Sequence, residues 1–166
     1  DLNLTWHFIG PIQSNKTKDI AQHFDWVHSV DRTKIAQRLS KQRPEDFPPM
    51  NVCIQVNIDN EESKSGINES AIIPLAEQID LLDNLTLRGL MIIPSKTDDI
   101  EQQRHSFHKA HALYQQLCAK YLSIDTLSMG MSNDMATAIS EGSTMVRIGS
   151  GIFGQRTTHP APGQVN

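Results

Sequence analysis

Six short strand-like segments alternate with helical stretches along this chain, and that alternation limits the fold more than any other feature. The clearest segment runs from Val52 to Ile58. There Val52, Ile54, Val56 and Ile58 share one face while Cys53, Gln55 and Asn57 share the other, the pattern of a strand with apolar helices outside and a partly polar site inside. The other segments are Trp6 to Ile9, Trp26 to Val30, Leu87 to Ile93, Ile124 to Ser128 and Thr144 to Ile148. Helices are expected between them. Asn15, Asp31, Ser70 and Ser132 are the expected caps, Pro74 falls in a first turn, and a long helix from about Asp98 to Tyr121 carries the stripe Phe107, Ala110, Tyr114, Leu117 and Tyr121. Right-handed crossovers make such a sheet parallel, which leaves a doubly wound open sheet or a closed eight-stranded barrel. Six strands are two short of the barrel.

Composition removes several classes of function. A chain of 166 residues, 38% hydrophobic and 20% charged, supports one domain; residues 1–156 are expected to form it, with 157–166 as a disordered tail. The formal charge is -4 and no Lys/Arg-rich run is present, so neither nucleic acid nor an anionic membrane is expected as a partner. Cys53 and Cys118 are far apart and form no C-x-x-C pair, which fits a reducing cytoplasm and suggests neither a disulfide framework nor a zinc site. No apolar run approaches the roughly 20 residues of a membrane span. The first residue is Asp1, not methionine, and the chain reads as a fragment.

Gly149, Gly151 and Gly154 spell G-x-G-x-x-G, but the motif follows the last strand, no further strand completes a βαβ unit, and Gln155 to Asn166 holds no acidic residue for a ribose. A dinucleotide site is rejected. A glycine-rich loop after a final barrel strand instead suits a phosphate group, held by backbone N–H groups with Ser150 as a hydroxyl donor. The preceding loop, Ser128 to Asp134, adds Ser128 and Ser132, and the loops after the last two strands are neighbours in a barrel. Arg147 lies on the face opposite Val146 and Ile148 and so points inward, where a permanent charge needs an acceptor.

Four blocks in order, Trp6 to Lys16, Ser63 to Gly66, Leu127 to Met135 and Gly142 to Gly154, resemble the pyridoxal phosphate homeostasis proteins called YggS in bacteria and PROSC in animals. The resemblance runs from about Trp6 to Arg156. It implies a (β/α)8 TIM barrel of the alanine-racemase type, incomplete here with six of eight βα units, that holds, protects or hands over pyridoxal 5'-phosphate without turnover. By the same resemblance Ser128, Ser132, Gly149 and Ser150 surround the phosphate and Arg147 faces the pyridine nitrogen, where a fixed cation disfavours the pyridinium needed for strong carbanion chemistry. Threonine is common in the family where Ser150 stands, and alanine where Gly151 stands.

The family's Schiff-base lysine lies at the end of the first barrel strand, and its Gly-Glu-Asn motif follows the second; neither block occurs in this chain. Lys16 and Lys64 fall in loops on the expected site face, but neither is assigned as a substitute. His7 and Asn57 are expected to point inward, and His105, His108 and His111 to form a solvated helix face. An alanine-racemase-like enzyme is the rival reading, disfavoured because Tyr114 and Tyr121 sit on an apolar stripe and no acid/base pair is evident. A fragment unable to bind the cofactor covalently is a third. The family is usually monomeric, whereas a chain with uncovered strand edges is expected to self-associate.

Overall fold

The structure, a computed structural model, describes residues 2–154. The expected tail at 157–166 lies outside the described residues. In chain order the elements are β1 (His7–Phe8), α1 (Thr17–His23), β2 (Trp26–Val30), α2 (Thr33–Gln42), β3 (Met50–Val56), a 3₁₀ turn (Glu69–Ala71) leading into α3 (Ile72–Asp80), β4 (Leu85–Ile92), α4 (Ile100–Cys118), β5 (Thr126–Ser128), α5 (Met135–Ser140) and α6 (Ser150–Phe153). The five strands form one parallel sheet in sequential order, β1-β2-β3-β4-β5. Sequential order with a helix after each strand is a half-barrel arrangement. It puts the C-terminal strand ends, and the loops after them, on one side of the sheet.

The apolar face of the sheet is covered by the helices. Ile35, Ala36 and Leu39 of α2, Ala76 and Ile79 of α3, and Phe107, Ala110 and Leu117 of α4 are buried against Val52, Ile54, Leu90 and Ile92. Phe107, Ala110 and Leu117 of the expected stripe pack in the core and Tyr114 is partly buried beside them, but α4 ends at Cys118, so Tyr121, also partly buried, lies beyond the helix. Pro74 falls in the first turn of α3, where its missing N–H has no intrahelical partner to lose. Strand β4 bulges at Arg88: Val52 pairs with Leu87, but Cys53 pairs with Gly89. The bulge lets the Arg88 carbonyl accept the Asp125 N–H at 3.0 Å while its guanidinium pairs with the Asp125 carboxylate and stacks over Trp26.

Several expectations are corrected. The sixth segment is not a named strand: Met145 makes a single parallel bridge with Ser128, after which the chain bends to start α6. Its backbone still tracks β5, with Met129 N–H on the Met145 carbonyl at 3.1 Å and Arg147 N–H on the Gly130 carbonyl at 2.9 Å. Gly130, whose carbonyl takes the last of these bonds, has a φ of +94°, a conformation that favours glycine.

The caps also move. Helix α2 starts after Arg32 rather than Asp31, and α3 is entered through the 3₁₀ turn rather than from a Ser70 cap. Helix α1 follows Lys16 rather than Asn15 and has no side-chain cap, its first residue Thr17 donating its hydroxyl back to the Ser14 carbonyl at 3.0 Å. Of these helix starts only α4 has a side-chain cap, Asp99, accepting from the N–H groups of Glu101 at 2.9 Å and Gln102 at 3.4 Å. Cys53 is buried and Cys118 is exposed, and both are free thiols.

Candidate functional site

A cavity of about 1080 Å³ opens at the C-terminal ends of the strands. Its walls come from every layer of the half-barrel: His7 of β1, His28 of β2, Lys64 after β3, Ser95 to Asp98 after β4, Met131 to Asp134 after β5, and Met145 to Ser150. Four of the five residues expected to hold the cofactor, Ser132, Arg147, Gly149 and Ser150, line it. The fifth, Ser128, is fully buried just behind Arg147.

The loop after β5 is built to place Ser132. Asp134, rather than Ser132, precedes the first turn of α5, and its carboxylate accepts the Met131 N–H at 2.6 Å to close the loop. Gly130 is required here, since a Cβ would lie 2.6 Å from the Ala138 Cβ at a φ that side chains avoid. Ser132 is thereby freed from capping, and its Oγ accepts the backbone N–H of Gly151 at 3.0 Å. The N–H groups of Gly149 and Ser150, both exposed, have no protein acceptor among the described residues.

Arg147 reaches inward as its position implied. Nη1 donates to Ser128 Oγ at 2.9 Å and Nη2 to the Ile92 carbonyl at 2.9 Å, which fixes the guanidinium plane from two strands. Burial lowers its pKa from the ordinary value, with the nearby Asp134 charge acting in the opposite sense. Its acceptors are neutral, so the charge has no carboxylate hydrogen-bonded to it among the described residues.

Behind Arg147 stands a chain that the sequence reading missed. His28 Nδ1 lies 2.9 Å from Ser128 Oγ, and His28 Nε2 lies 2.8 Å from His7 Nδ1. The His7 ring stacks on Trp26 with centroids 5.2 Å apart. Burial, followed by the His7 and Arg147 charges, pulls the His28 pKa down to about 4, so its imidazole is neutral at neutral pH. Burial also lowers His7, against the Asp25 charge. The sequence signal was the i, i+2 alternation Trp26-x-His28, which puts both rings on the inner face of β2.

A second polar group sits on the rim. Asp59 accepts the Ser95 N–H at 2.5 Å, the Ser95 hydroxyl at 2.8 Å and the Ser106 hydroxyl at 2.7 Å, clipping the loop after β3 to the loop after β4 and to α4. Burial alone would raise this carboxyl, yet the three hydrogen bonds and the Lys64 charge together hold it below its ordinary value. Glu61 shares the Ser95 hydroxyl and pairs with Lys64 at 3.3 Å. Asn57 turns away from the cavity to brace its own loop, donating to the Glu61 carbonyl at 2.7 Å and accepting the Glu61 N–H at 3.2 Å. Lys16 lies at a separate depression beside α1. His105 and His108 are exposed, and His108 faces Glu141 at 3.4 Å; no group of metal-ligating side chains occurs among the described residues. Tyr114 and Tyr121 lie outside the cavity walls. Among the described residues no helix is long and apolar enough to cross a membrane.

Residues 2–157 match the family described as alanine racemase, N-terminal domain. The pyridoxal phosphate homeostasis protein of Vibrio alginolyticus is 60% identical over 156 residues, covering 94% of this chain and 67% of that protein. Its namesake from Escherichia coli is 51% identical over 153 residues, 92% of this chain and 65% of that protein. The chain thus spans about two thirds of the length of these curated relatives. Among solved structures, PipY of Synechococcus elongatus with PLP bound matches with a TM-score of 0.82 at 32% identity, over 92% of this chain and 72% of that one. An alanine racemase of Clostridium difficile matches with a TM-score of 0.67 at 14% identity, over 89% of this chain and 39% of that one, a likeness of fold alone.

Proposed function

We propose that this chain, which belongs to the alanine racemase N-terminal domain family, binds pyridoxal 5'-phosphate in the cavity at its strand ends and serves cofactor homeostasis as a carrier or protector. The observation that carries the reading is the placement of Arg147: a fixed guanidinium with neutral partners, on the wall that also holds Gly149 and Ser150, whose N–H groups have no acceptor among the described residues. An anion-binding corner beside a fixed cation suits a ligand with a phosphate at one end and a ring nitrogen acceptor at the other.

In this reading Ser132, Gly149 and Ser150 receive the phosphate and Arg147 donates to the pyridine nitrogen. Ser128 contributes from behind, through its hydrogen bond to Arg147. When bound, the cofactor would supply an aldehyde and an electron-accepting ring. A donor that cannot give up its proton keeps that ring a weak electron sink, which discourages full carbanion chemistry. Both nitrogens of His28 are engaged, and it is neutral, so it is not poised to exchange protons with a substrate.

The five-stranded sheet and the sixth segment are proposed to be six βα units of an eight-unit barrel, with residues 1–156 as one domain. No lysine here is proposed as the covalent anchor; Lys64 lines the cavity but is paired with Glu61. The covalent half of the site is proposed to lie in the part of the relatives that this chain does not span. Equilibrium dialysis against pyridoxal 5'-phosphate and against 4'-deoxypyridoxine phosphate, which has no aldehyde, tests the reading: saturable one-to-one binding of both is expected, and retention of neither defeats it.

A further inference from the structure

The chain from Arg147 to His7 can be ordered by counting protons. Arg147 Nη1 is a donor under all conditions, so Ser128 Oγ accepts from it at 2.9 Å. Ser128 is fully buried, and its own hydroxyl hydrogen has one acceptor within reach among the described residues, His28 Nδ1 at 2.9 Å. If His28 carried its proton on Nδ1, that hydroxyl hydrogen would be buried without a partner, at a cost of roughly 1–3 kcal/mol. His28 Nδ1 is therefore the acceptor. A neutral imidazole then carries its proton on Nε2 and donates it to His7 Nδ1 at 2.8 Å. His7 in turn holds its proton on Nε2, the ring nitrogen with no protein partner among the described residues, and its ring lines the cavity.

We propose that Arg147, Ser128, His28 and His7 form a proton-ordered relay in which every donor points away from Arg147, making His7 Nε2–H a hydrogen-bond donor offered to an oxygen or nitrogen acceptor of a ligand in the cavity. The lowered pKa values of both histidines agree with neutral rings at neutral pH. Stacking on Trp26 at 5.2 Å, with planes 12° apart, fixes the ring plane and hence the donor direction. His28 is a positioning residue in this arrangement and His7 a binding residue. The identity of the ligand rests on the cofactor reading above; the proton order does not.

Long-range proton–nitrogen NMR of the labelled full chain without ligand, with His7→Phe to assign signals, reads the order directly. Both rings should be neutral at pH 7 with the proton on Nε2. A proton on His28 Nδ1, or a charged His28, overturns the relay. His7→Phe keeps the stack on Trp26 but removes the donor, and should weaken binding of 4'-deoxypyridoxine phosphate about 5- to 10-fold, the value of one hydrogen bond. Unchanged affinity overturns the ligand contact. If the unaltered chain fails to bind that probe, the cofactor reading fails and the tautomers alone judge the relay.

Discussion

The Ser132 hydroxyl accepts the backbone N–H of Gly151 at 3.0 Å, so the loop after β5 and the first turn of α6 form a single wall of the cavity. The same oxygen has a hydrogen left to donate toward the cavity. Ser132→Ala removes both the tie and the donor. Binding of pyridoxal 5'-phosphate, followed by its absorbance on titration, should weaken about 5- to 20-fold, while the melting temperature changes by no more than a few degrees because the residue sits outside the core.

Arg147 is held by an oxygen of Ser128 and one of Ile92, and no ammonium reproduces that planar fork. Arg147→Leu leaves both acceptors in a poorly hydrated site and takes the donor from the ring nitrogen. A loss of binding of about 10- to 100-fold is expected by calorimetric titration, and Arg147→Lys should recover only part of it. Full affinity in Arg147→Leu would remove the residue from the site.

Gly89 has a φ of +147°, and a Cβ there would lie 1.8 Å from the carbonyl oxygen of Thr126. This is backbone against backbone across the β4–β5 pair, so no rotamer relieves it. Gly89→Ala should cost more than about 2 kcal/mol in a urea unfolding experiment, among the larger effects of a single methyl group.

Asp59 joins three segments through Ser95 and Ser106, and its carboxyl is held below the ordinary range. A depressed folded-state pKa means that the carboxylate stabilises the fold fully above the unfolded value of about 3.9, and that this contribution is lost as pH falls through the lower folded value. Asp59→Asn should lower the melting temperature at pH 7 and flatten its decline below about pH 4. A variant whose curve runs parallel to the original down to pH 2 would show that Asp59 carries no such linkage.

Much of this was legible in the sequence where a physical rule is local. Trp26 to Val30 was placed to the residue, and β3 and β4 to within a few residues, because period-two burial leaves a direct trace. Arg147 and the two glycine-bearing loops were found because a charge beside Val146 and Ile148 must face inward. The caps were less legible. Ser132, Ser70 and Asp31 all satisfy the composition rule for an N-cap, but each helix starts elsewhere, and at Ser132 the reason is a tertiary bond, the Gly151 N–H taking the oxygen that would have capped. The His7–His28–Ser128 chain spans 100 residues at one of its bonds, beyond any periodicity argument. Arg43 was missed for the same reason: it closes α1 and α2 together by donating to the carbonyls of Ala21 at 2.8 Å and Phe24 at 2.7 Å, contacts that exist only after the helices have packed.

The central claim is that the loops at Ser132 and at Gly149 to Ser150 receive the phosphate of pyridoxal 5'-phosphate beside Arg147. Phosphorus NMR of the cofactor titrated with the full chain tests it most directly. The account predicts a saturable shift of the phosphate resonance at one site per chain, lost or sharply weakened in the double variant Ser132→Ala with Ser150→Ala. No saturable shift, or an identical shift in the double variant, would contradict it.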